Sequence, residues 1–232
     1  MKLGRAISTL LVGAAMSWSA PKASASAAEV VDRIVATVNG HVILQSEWDE
    51  ELGYEAVLSG RRLTDFTDDE RKAALDRLID QELLIEQMAT ANFSRASQLE
   101  AEGKVAEARK LSQAGGSDSA WTATLAQFRL TEKDLIEHVR RELDVMRLVD
   151  ARLRPAVQVD ANSVEAYYRE KFVPQLQQAG SAKVTLDEVS DKIRDLLTEQ
   201  KVNELLVSWL HTLRSEGEVK VNGPTGGGQE IR

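Results

Sequence analysis

The chain has 232 residues, of which 43% are hydrophobic, 28% are charged and only 5% are aromatic. This composition excludes a chain that is disordered over most of its length, and the scarcity of aromatic residues favours helices over a β-sandwich or barrel. The formal net charge of −8 argues against a general binder of nucleic acid or of anionic membranes. The length allows one domain or two small ones.

The first 27 residues have the pattern of a secretory signal peptide. Lys2 and Arg5 precede an apolar stretch over residues 6–20, and small residues then offer a cleavage site near Ala25 or Ala27. The apolar stretch is shorter than the roughly 20 residues of a membrane-spanning helix, although an uncleaved amphipathic anchor stays open as an alternative. We therefore expect a periplasmic protein with no stable membrane insertion. Because the leader carries three basic residues and no acidic one, the processed chain would have a net charge of −11.

Residues 30–44 predict a β-hairpin, since two runs rich in β-branched residues flank Asn39–Gly40, a dipeptide preferred in type I′ turns. Ser46 and Asp49 have the spacing of a capping box, which predicts a helix directly after the hairpin.

Further helices are predicted from capping residues followed by apolar periodicity. Their expected starts are Thr67 with Glu70, Thr131 with Asp134, Asp160, and Thr185 with Glu188. Residues 94–111 predict an exposed helix with a weak apolar face, and residues 119–129 a short amphipathic helix. Pro155 should end the helix that starts near Thr131.

The C-terminal region combines a connection, a strand and a tail. Residues 174–181 contain Pro and Gly and predict a short connection before the last helix. Residues 218–221 alternate between polar and apolar side chains, and we expect this strand to pair with the N-terminal hairpin, because a lone hairpin is marginally stable. Residues 222–232 predict a disordered tail.

Residues that could carry chemistry are few. The absence of cysteine excludes disulfides, thiolate nucleophiles and Cys-ligated metals. His41, His138 and His211 lack the spacing of a metal site, and we expect each at or near the surface. The motifs of serine hydrolases, phosphate loops and dinucleotide-binding folds are missing, so no cofactor is expected.

Five segments in this order resemble SurA and related periplasmic chaperones. The first has the sequence VVDRIVATVNGHVILQSE and the second LIDQELLIEQM. The resemblance continues through residues 128–143, through 159–168 with its Tyr-Tyr pair, and through the C-terminal helix and strand from Asp187 onward. More broadly, the chain is similar to the chaperone cores of PrsA and trigger-factor type.

The resemblance implies a mainly α fold: a helical SurA-like chaperone core with a small antiparallel sheet made by the N-terminal hairpin and the C-terminal strand. The expected domain spans residues 28–221, with an N-terminal part over 28–172 and a C-terminal helix and strand over 184–221. In SurA-like proteins a parvulin-type prolyl isomerase domain usually lies between these parts. Here residues 173–183 occupy that place, and so short a segment cannot form a core. We therefore expect no enzymatic activity.

The resemblance further implies an ATP-independent chaperone whose partners are unfolded exported polypeptides, with outer-membrane β-barrel precursors as the expected clients. Two alternatives stay open: a non-catalytic scaffold for a folded envelope partner, and a prolyl isomerase-like protein with residual activity. The candidate peptide contacts are aromatic residues near element ends and loops: Trp48, Tyr54, Phe66, Trp121, Phe128, Tyr167 and Tyr168. Truncating Trp121 and Phe128 to alanine is expected to weaken client binding and to leave thermal stability nearly unchanged.

Overall fold

The structure is a computed structural model that describes residues 32–111, 117–180, 184–222 and 228–230. The predicted signal peptide over residues 1–27 lies outside the described residues.

The predicted hairpin is confirmed. Strands β1 (Ile34–Val38) and β2 (His41–Leu44) are antiparallel, and Asn39 and Gly40 have φ angles of 50° and 86°, as a type I′ turn requires. Strand β3 (Val219–Asn222) pairs with the other edge of β1, with Val219 opposite Val38 and Val221 opposite Ala36. The two ends of the described chain therefore share one antiparallel sheet.

A fourth strand departs from the expected disordered tail. Strand β4 (Gly228–Glu230) pairs antiparallel with β3, so the sheet order is β2-β1-β3-β4. Backbone hydrogen bonds to an open sheet edge depend on no particular side chain, and composition alone does not reveal them. The rest of the predicted tail beyond Asn222 lies outside the described residues.

Helices make up most of the described chain, which confirms the mainly α prediction. They are α1 (Gln45–Ser59), α2 (Asp68–Met88), α3 (Gln98–Leu111), α4 (Asp118–Gln127), α5 (Glu132–Leu153), α6 (Ala161–Tyr167), α7 (Val173–Gln178) and α8 (Leu186–Glu216). Short 3₁₀ turns cover Leu63–Asp65 and Arg154–Ala156, and a π-helical turn covers Tyr168–Phe172.

The predicted caps of α2 and α5 are confirmed. The backbone N–H of Glu70 donates to Thr67 Oγ1 at 3.2 Å, and the Thr67 N–H donates to the Glu70 carboxylate at 2.8 Å. Thr131 and Asp134 repeat the same pair of bonds at 3.2 and 2.8 Å. Each box satisfies N–H groups that a helix start leaves without a partner.

The starts of α6 and α8 also lie where the sequence predicts them. Asp160 accepts a hydrogen bond from the backbone N–H of Ser163 at 2.7 Å. The N–H of Thr185 donates to the Glu188 carboxylate at 2.7 Å.

The predicted box of Ser46 with Asp49 is wrong. Helix α1 begins at Gln45, two residues before the start at Glu47 that a Ser46 cap predicts, and the Glu47 carboxylate accepts a hydrogen bond from the backbone N–H of Leu44 at 2.7 Å. The Ser46 hydroxyl instead donates to the carboxylate of Asp32, a residue that precedes β1. A tertiary partner therefore competes with the local cap, and the spacing alone does not distinguish the two.

The predicted connection after residue 173 is also wrong in part, because α7 continues the helix through Pro174 to Gln178. Proline lacks an N–H and its ring clashes with the carbonyl four residues earlier. The π-helical turn just before it widens the helix, and the Val173 N–H bonds to the carbonyl of Tyr168, five residues back. The wider turn relieves the clash, so the chain stays helical.

Two hydrophobic clusters position the elements around the N-terminal half. The inner face of the sheet packs on α2, with Val35 and Val38 against Ile79 and Leu83. The second cluster forms where α1, α3, α4 and α5 meet. It contains Tyr54, Val57, Val105, Trp121, Leu125, Leu130 and Leu135.

Helix α8 takes part in three further hydrophobic clusters. Its C-terminal half packs on α2 and α5, where Trp209 and Leu210 lie half-buried against Leu84 and Leu148. Its N-terminal half packs on α6, with Val189 and Ile193 against Val164. None of the described helices is long and apolar enough to cross a membrane.

Candidate functional site

Two adjoining pockets lie where the C-terminal end of α1 meets α3, α4 and α5. The first is a cleft of about 280 Å³. It is lined mainly by Leu58, Val105, Ala108, Leu135, Val139, Leu143 and Met146. The second pocket lies beside it, between the end of α1 and helix α4. Its lining includes Val57, Leu58, Gly60, Arg61, Arg62, Ala108, Leu111, Trp121, Thr124 and Phe128. We call the two pockets together the α3 groove; they meet at Leu58 and Ala108.

Large apolar side chains are exposed along the α3 groove. The side chains of Leu58, Leu111 and Met146 are exposed by 51%, 88% and 64%, although leucine and methionine are usually buried. Their grouping at one groove differs from the scattered single apolar residues of an ordinary surface. The α3 groove can therefore remove apolar side chains of a partner from water.

Glycine and arginine shape the end of α1 beside the groove. Gly60 adopts the left-handed conformation with φ 66°, and its N–H caps the carbonyl of Ala56, which ends the helix just after Leu58. Arg61 then lies over the Phe66 ring and bonds the Glu70 carboxylate at 2.8 Å. The Arg61 bond and the Thr67 backbone N–H lower the pKa of Glu70 to about 2. This loop is therefore held in one position.

Close packing fixes Phe128 at the base of the groove. A Cβ atom added to Gly53 would lie 3.3 Å from the Phe128 Cβ, so the glycine permits α1 to approach the turn after α4. Arg129, next in this turn, has a φ of 59°, a conformation that side-chain-bearing residues rarely adopt. The turn directs Phe128 toward the hydrophobic cluster, where it is half-buried.

Trp121 is part of the lining of the second pocket of the α3 groove. Its side chain is 1% exposed and packs in the cluster with Val105, Leu125 and Leu135. The indole Nε1–H is buried and has no hydrogen-bond acceptor among the described residues. Truncating a tryptophan buried to this degree costs about 3–5 kcal/mol, so the expectation that Trp121→Ala leaves stability nearly unchanged is overturned by its burial.

The other aromatic candidates do not line the groove. Tyr54 is 8% exposed and its ring stacks on the His138 ring with centroids 3.8 Å apart. Phe66 is 7% exposed beneath Arg61, and half-buried Trp48 donates its indole N–H to the Arg71 carbonyl at 2.8 Å. All three side chains are held by the interior of the protein.

Tyr167 and Tyr168 belong to a separate cluster at the far end of α8. Both are half-buried against Val164, and the Tyr168 hydroxyl donates to the Val184 carbonyl at 2.6 Å. Of the seven aromatic candidates, the structure brings only Trp121 and Phe128 together at the groove.

Sequence reasoning missed the aliphatic residues that form most of the α3 groove. The predicted contacts are all aromatic residues near element ends, and Leu58, Leu111 and Met146 are aliphatic residues within helices, at a helix end or on a helix face. The available indication was the weak apolar face of residues 94–111. A helix with exposed leucines and few buried residues often presents its remaining apolar side chains to a partner.

A buried polar cluster joins α1 to α5 beneath Tyr54. His138 is 4% exposed, which contradicts its expected place at the surface. Its Nδ1 lies 3.7 Å from Glu51 and its Nε2 lies 3.4 Å from Glu142. Burial raises the pKa of Glu51. His41 and His211 are exposed as expected. Among the described residues no cluster of three potential metal ligands occurs.

Comparison with known proteins identifies the family. Residues 5–149, more than half of the chain, match the model of the SurA-like N-terminal domain. The matched region extends through β1, β2 and the four helices that form the α3 groove, up to residue 149 within α5. Comparison with curated proteins gives no significant match. The chain belongs to the family of SurA-like N-terminal domains.

Proposed function

We propose that this protein is an ATP-independent periplasmic chaperone that binds unfolded exported polypeptides, with outer-membrane β-barrel precursors as clients. The observation that carries the proposal is the α3 groove, with three large aliphatic side chains exposed around adjoining pockets in a domain of the SurA-like family. The leader predicted over residues 1–27 supports export.

The mechanism requires only reversible binding. A groove that covers apolar side chains of an unfolded client lowers the concentration of free, aggregation-prone chains by mass action. The acidic chain, with a net charge of −8 before processing, would also repel other complexes of the same kind and keep them soluble.

The proposal includes no prolyl isomerase activity. The π-helical turn and α8 are separated by the 13 residues 173–185, and the described part of this stretch contains α7. A segment of this length cannot enclose an active site in a core of its own. We propose that client binding takes place on the helical core without a catalytic step.

Binding to one outer-membrane β-barrel protein, labelled with a fluorophore and presented either unfolded or folded, tests the proposal. We expect micromolar or tighter binding of the unfolded form, measured by fluorescence anisotropy, because only that form offers extended segments with accessible side chains and backbone. The control is the folded barrel inserted in lipid vesicles in the same buffer, where lipid covers its outward apolar band. Equal binding of both forms would contradict the proposal and favour a scaffold for folded envelope proteins.

A proline-limited refolding reaction provides the companion measurement. We expect the protein to leave the rate of the slow isomerisation phase unchanged while it suppresses aggregation of the same substrate. Acceleration of the slow phase at substoichiometric protein would show residual isomerase activity and contradict the non-catalytic part of the proposal.

A further inference from the structure

Among the described residues, the Trp121 indole N–H at the α3 groove is a buried donor without an acceptor. A buried N–H without an acceptor forfeits a hydrogen bond that it would make in water, which is costly, and buried donors are therefore rarely left unpaired. Another described indole shows the ordinary solution, since Trp48 donates to the Arg71 carbonyl at 2.8 Å. Trp121 lacks an equivalent partner in the described part of the chain and lines a groove.

We propose that the α3 groove binds an extended, unfolded polypeptide segment at two points. An aliphatic side chain of the segment enters the cleft between Leu58 and Met146, and a main-chain carbonyl of the segment accepts the hydrogen bond of the Trp121 indole. This inference rests on the proposed function and locates its binding site.

The charges around the groove favour a neutral acceptor. Arg61 and Arg62, the charged residues that line the second pocket, bond the Glu70 and Asp65 carboxylates at 2.8 and 2.9 Å. Their positive charges are largely neutralised, so a free carboxylate gains little there. The first pocket is lined by one residue of each charge, Lys104 and Glu142. An amide carbonyl matches the single indole donor without bringing a charge into an apolar site.

The hydrogen bond from the Trp121 indole to a main-chain carbonyl explains why an unfolded segment fits the groove and a folded protein does not. In a folded protein nearly all buried backbone carbonyls are already bonded in helices and sheets. An extended segment offers free carbonyls, and its side chains alternate along the backbone at about 3.3 Å per residue. Such a segment can present an aliphatic side chain to the first pocket and a carbonyl to the adjoining one.

Helix α3 provides the access to the donor. The indole Nε1 is covered by surrounding side chains, so a bound segment must displace part of the lining. Helix α3 buries only Ala101 and Val105, and its final turn, which includes Leu111, contributes no buried side chain. Outward movement of this turn would break the ion pair between Arg109 and Asp118 of α4 but would expose no buried apolar side chain, and local opening is cheapest where few apolar contacts are lost.

A peptide titration followed by NMR tests both contacts. The probe is a ten-residue peptide in which leucine alternates with serine and asparagine, acetylated and amidated so that its ends carry no charge. In the ¹⁵N-labelled chain, the indole N–H proton of Trp121 should shift downfield as the peptide saturates the site, while the signal of Trp48 stays in place. Trp121→Phe and Trp48→Phe assign the two signals.

Two exposed leucines provide matched variants for the aliphatic contact. Leu58→Ser should weaken peptide binding by about tenfold, because the buried side-chain area in the cleft is lost. Leu99→Ser on helix α3, at a leucine that is 77% exposed and outside both pockets, should leave the affinity unchanged.

The outcomes separate this inference from the proposed function. If the chain binds unfolded barrel protein but the Trp121 signal does not move, or Leu58→Ser and Leu99→Ser behave alike, the client site lies elsewhere and the inference is overturned. If sedimentation shows a dimer that Leu58→Ser dissociates, a second copy occupies the groove, which also overturns it. Failure to bind any unfolded protein instead contradicts the proposed function.

Discussion

Glu51 shows how a single buried carboxylate adjusts the stability of the interface between α1 and α5. It lies 3.7 Å from His138, and its side chain is only 11% exposed. The attraction of His138 lowers the pKa of Glu51, but the larger effect of burial raises it, so the net pKa lies above the ordinary value. The charged form is therefore disfavoured in the folded protein, even beside an imidazole.

The raised pKa predicts the effect of Glu51→Gln. The folded state holds its proton more tightly than the unfolded state, so this residue favours folding at acidic pH and loses that contribution as the pH rises through the raised pKa. We expect Glu51→Gln to raise the midpoint of thermal unfolding at pH 8 by about 2–4 °C, the effect of about 1 kcal/mol in a chain of this size. At pH 4 the difference should vanish.

Thermal unfolding followed by circular dichroism at both pH values provides the measurement. Glu170→Gln, at an exposed position on the π-helical turn, serves as the matched control and should change neither midpoint. A lower midpoint for Glu51→Gln at pH 8 would mean that the attraction of His138 outweighs burial.

At the scale of elements, local capping rules predicted most helix starts. The Thr67–Glu70 and Thr131–Asp134 boxes lie within four residues, so nearby sequence contains all the information that they need. The start of α1 departs from the rule because Ser46 bonds Asp32, fourteen residues earlier, once the hairpin has brought the two together. Pro174 departs because a π-helical turn accommodates it.

The cap of α2 provides a test at this scale. Thr67→Ala removes the hydroxyl that accepts the Glu70 N–H, and we expect a loss of about 1 kcal/mol, or about 2–4 °C in the unfolding midpoint. Thr122→Ala, at an exposed position inside α4, should be neutral or slightly stabilising, since alanine is the better helix former. Equal midpoints for the two variants would show that the Thr67 cap contributes nothing.

At the scale of the whole molecule, the last helix and strand connect the end of the described chain to its beginning. The Asn39 amide accepts the backbone N–H of Glu218 at 2.8 Å and donates to Glu86 at 2.6 Å. Arg214 of α8 bonds Asp80 of α2 at 2.6 Å. These contacts place β3 against β1 and complete the hydrophobic face over α2.

Two truncated chains test this closure. A chain that ends at Gly217 loses β3 and uncovers β1, and we expect its unfolding midpoint to fall by about 5–10 °C, for a loss on the order of 2–3 kcal/mol. A chain that ends at Asn222 keeps β3 and should unfold within about 2 °C of the full chain, which is less than the effect of 1 kcal/mol. Both midpoints are measured by differential scanning calorimetry under the same conditions as for the full chain. A similar fall of the midpoint in the two truncated chains would assign the stabilisation to the residues beyond β3.

The sequence by itself determined the mainly α class, the hairpin at Asn39–Gly40, most helix starts and the pairing of the terminal strand, because turn and capping chemistry and apolar periodicity act over a few residues. Only the tertiary structure decided the location of the candidate site. Trp121 and Phe128 line the groove, whereas Tyr54 is held in the interior and Tyr167 packs at the far end of α8. Helices from distant parts of the chain determine which side chains surround a given pocket. The lack of an acceptor for the Trp121 indole N–H among the described residues likewise follows only from the tertiary structure. Whether a donor finds an acceptor depends on the packing of α3, α4 and α5 together.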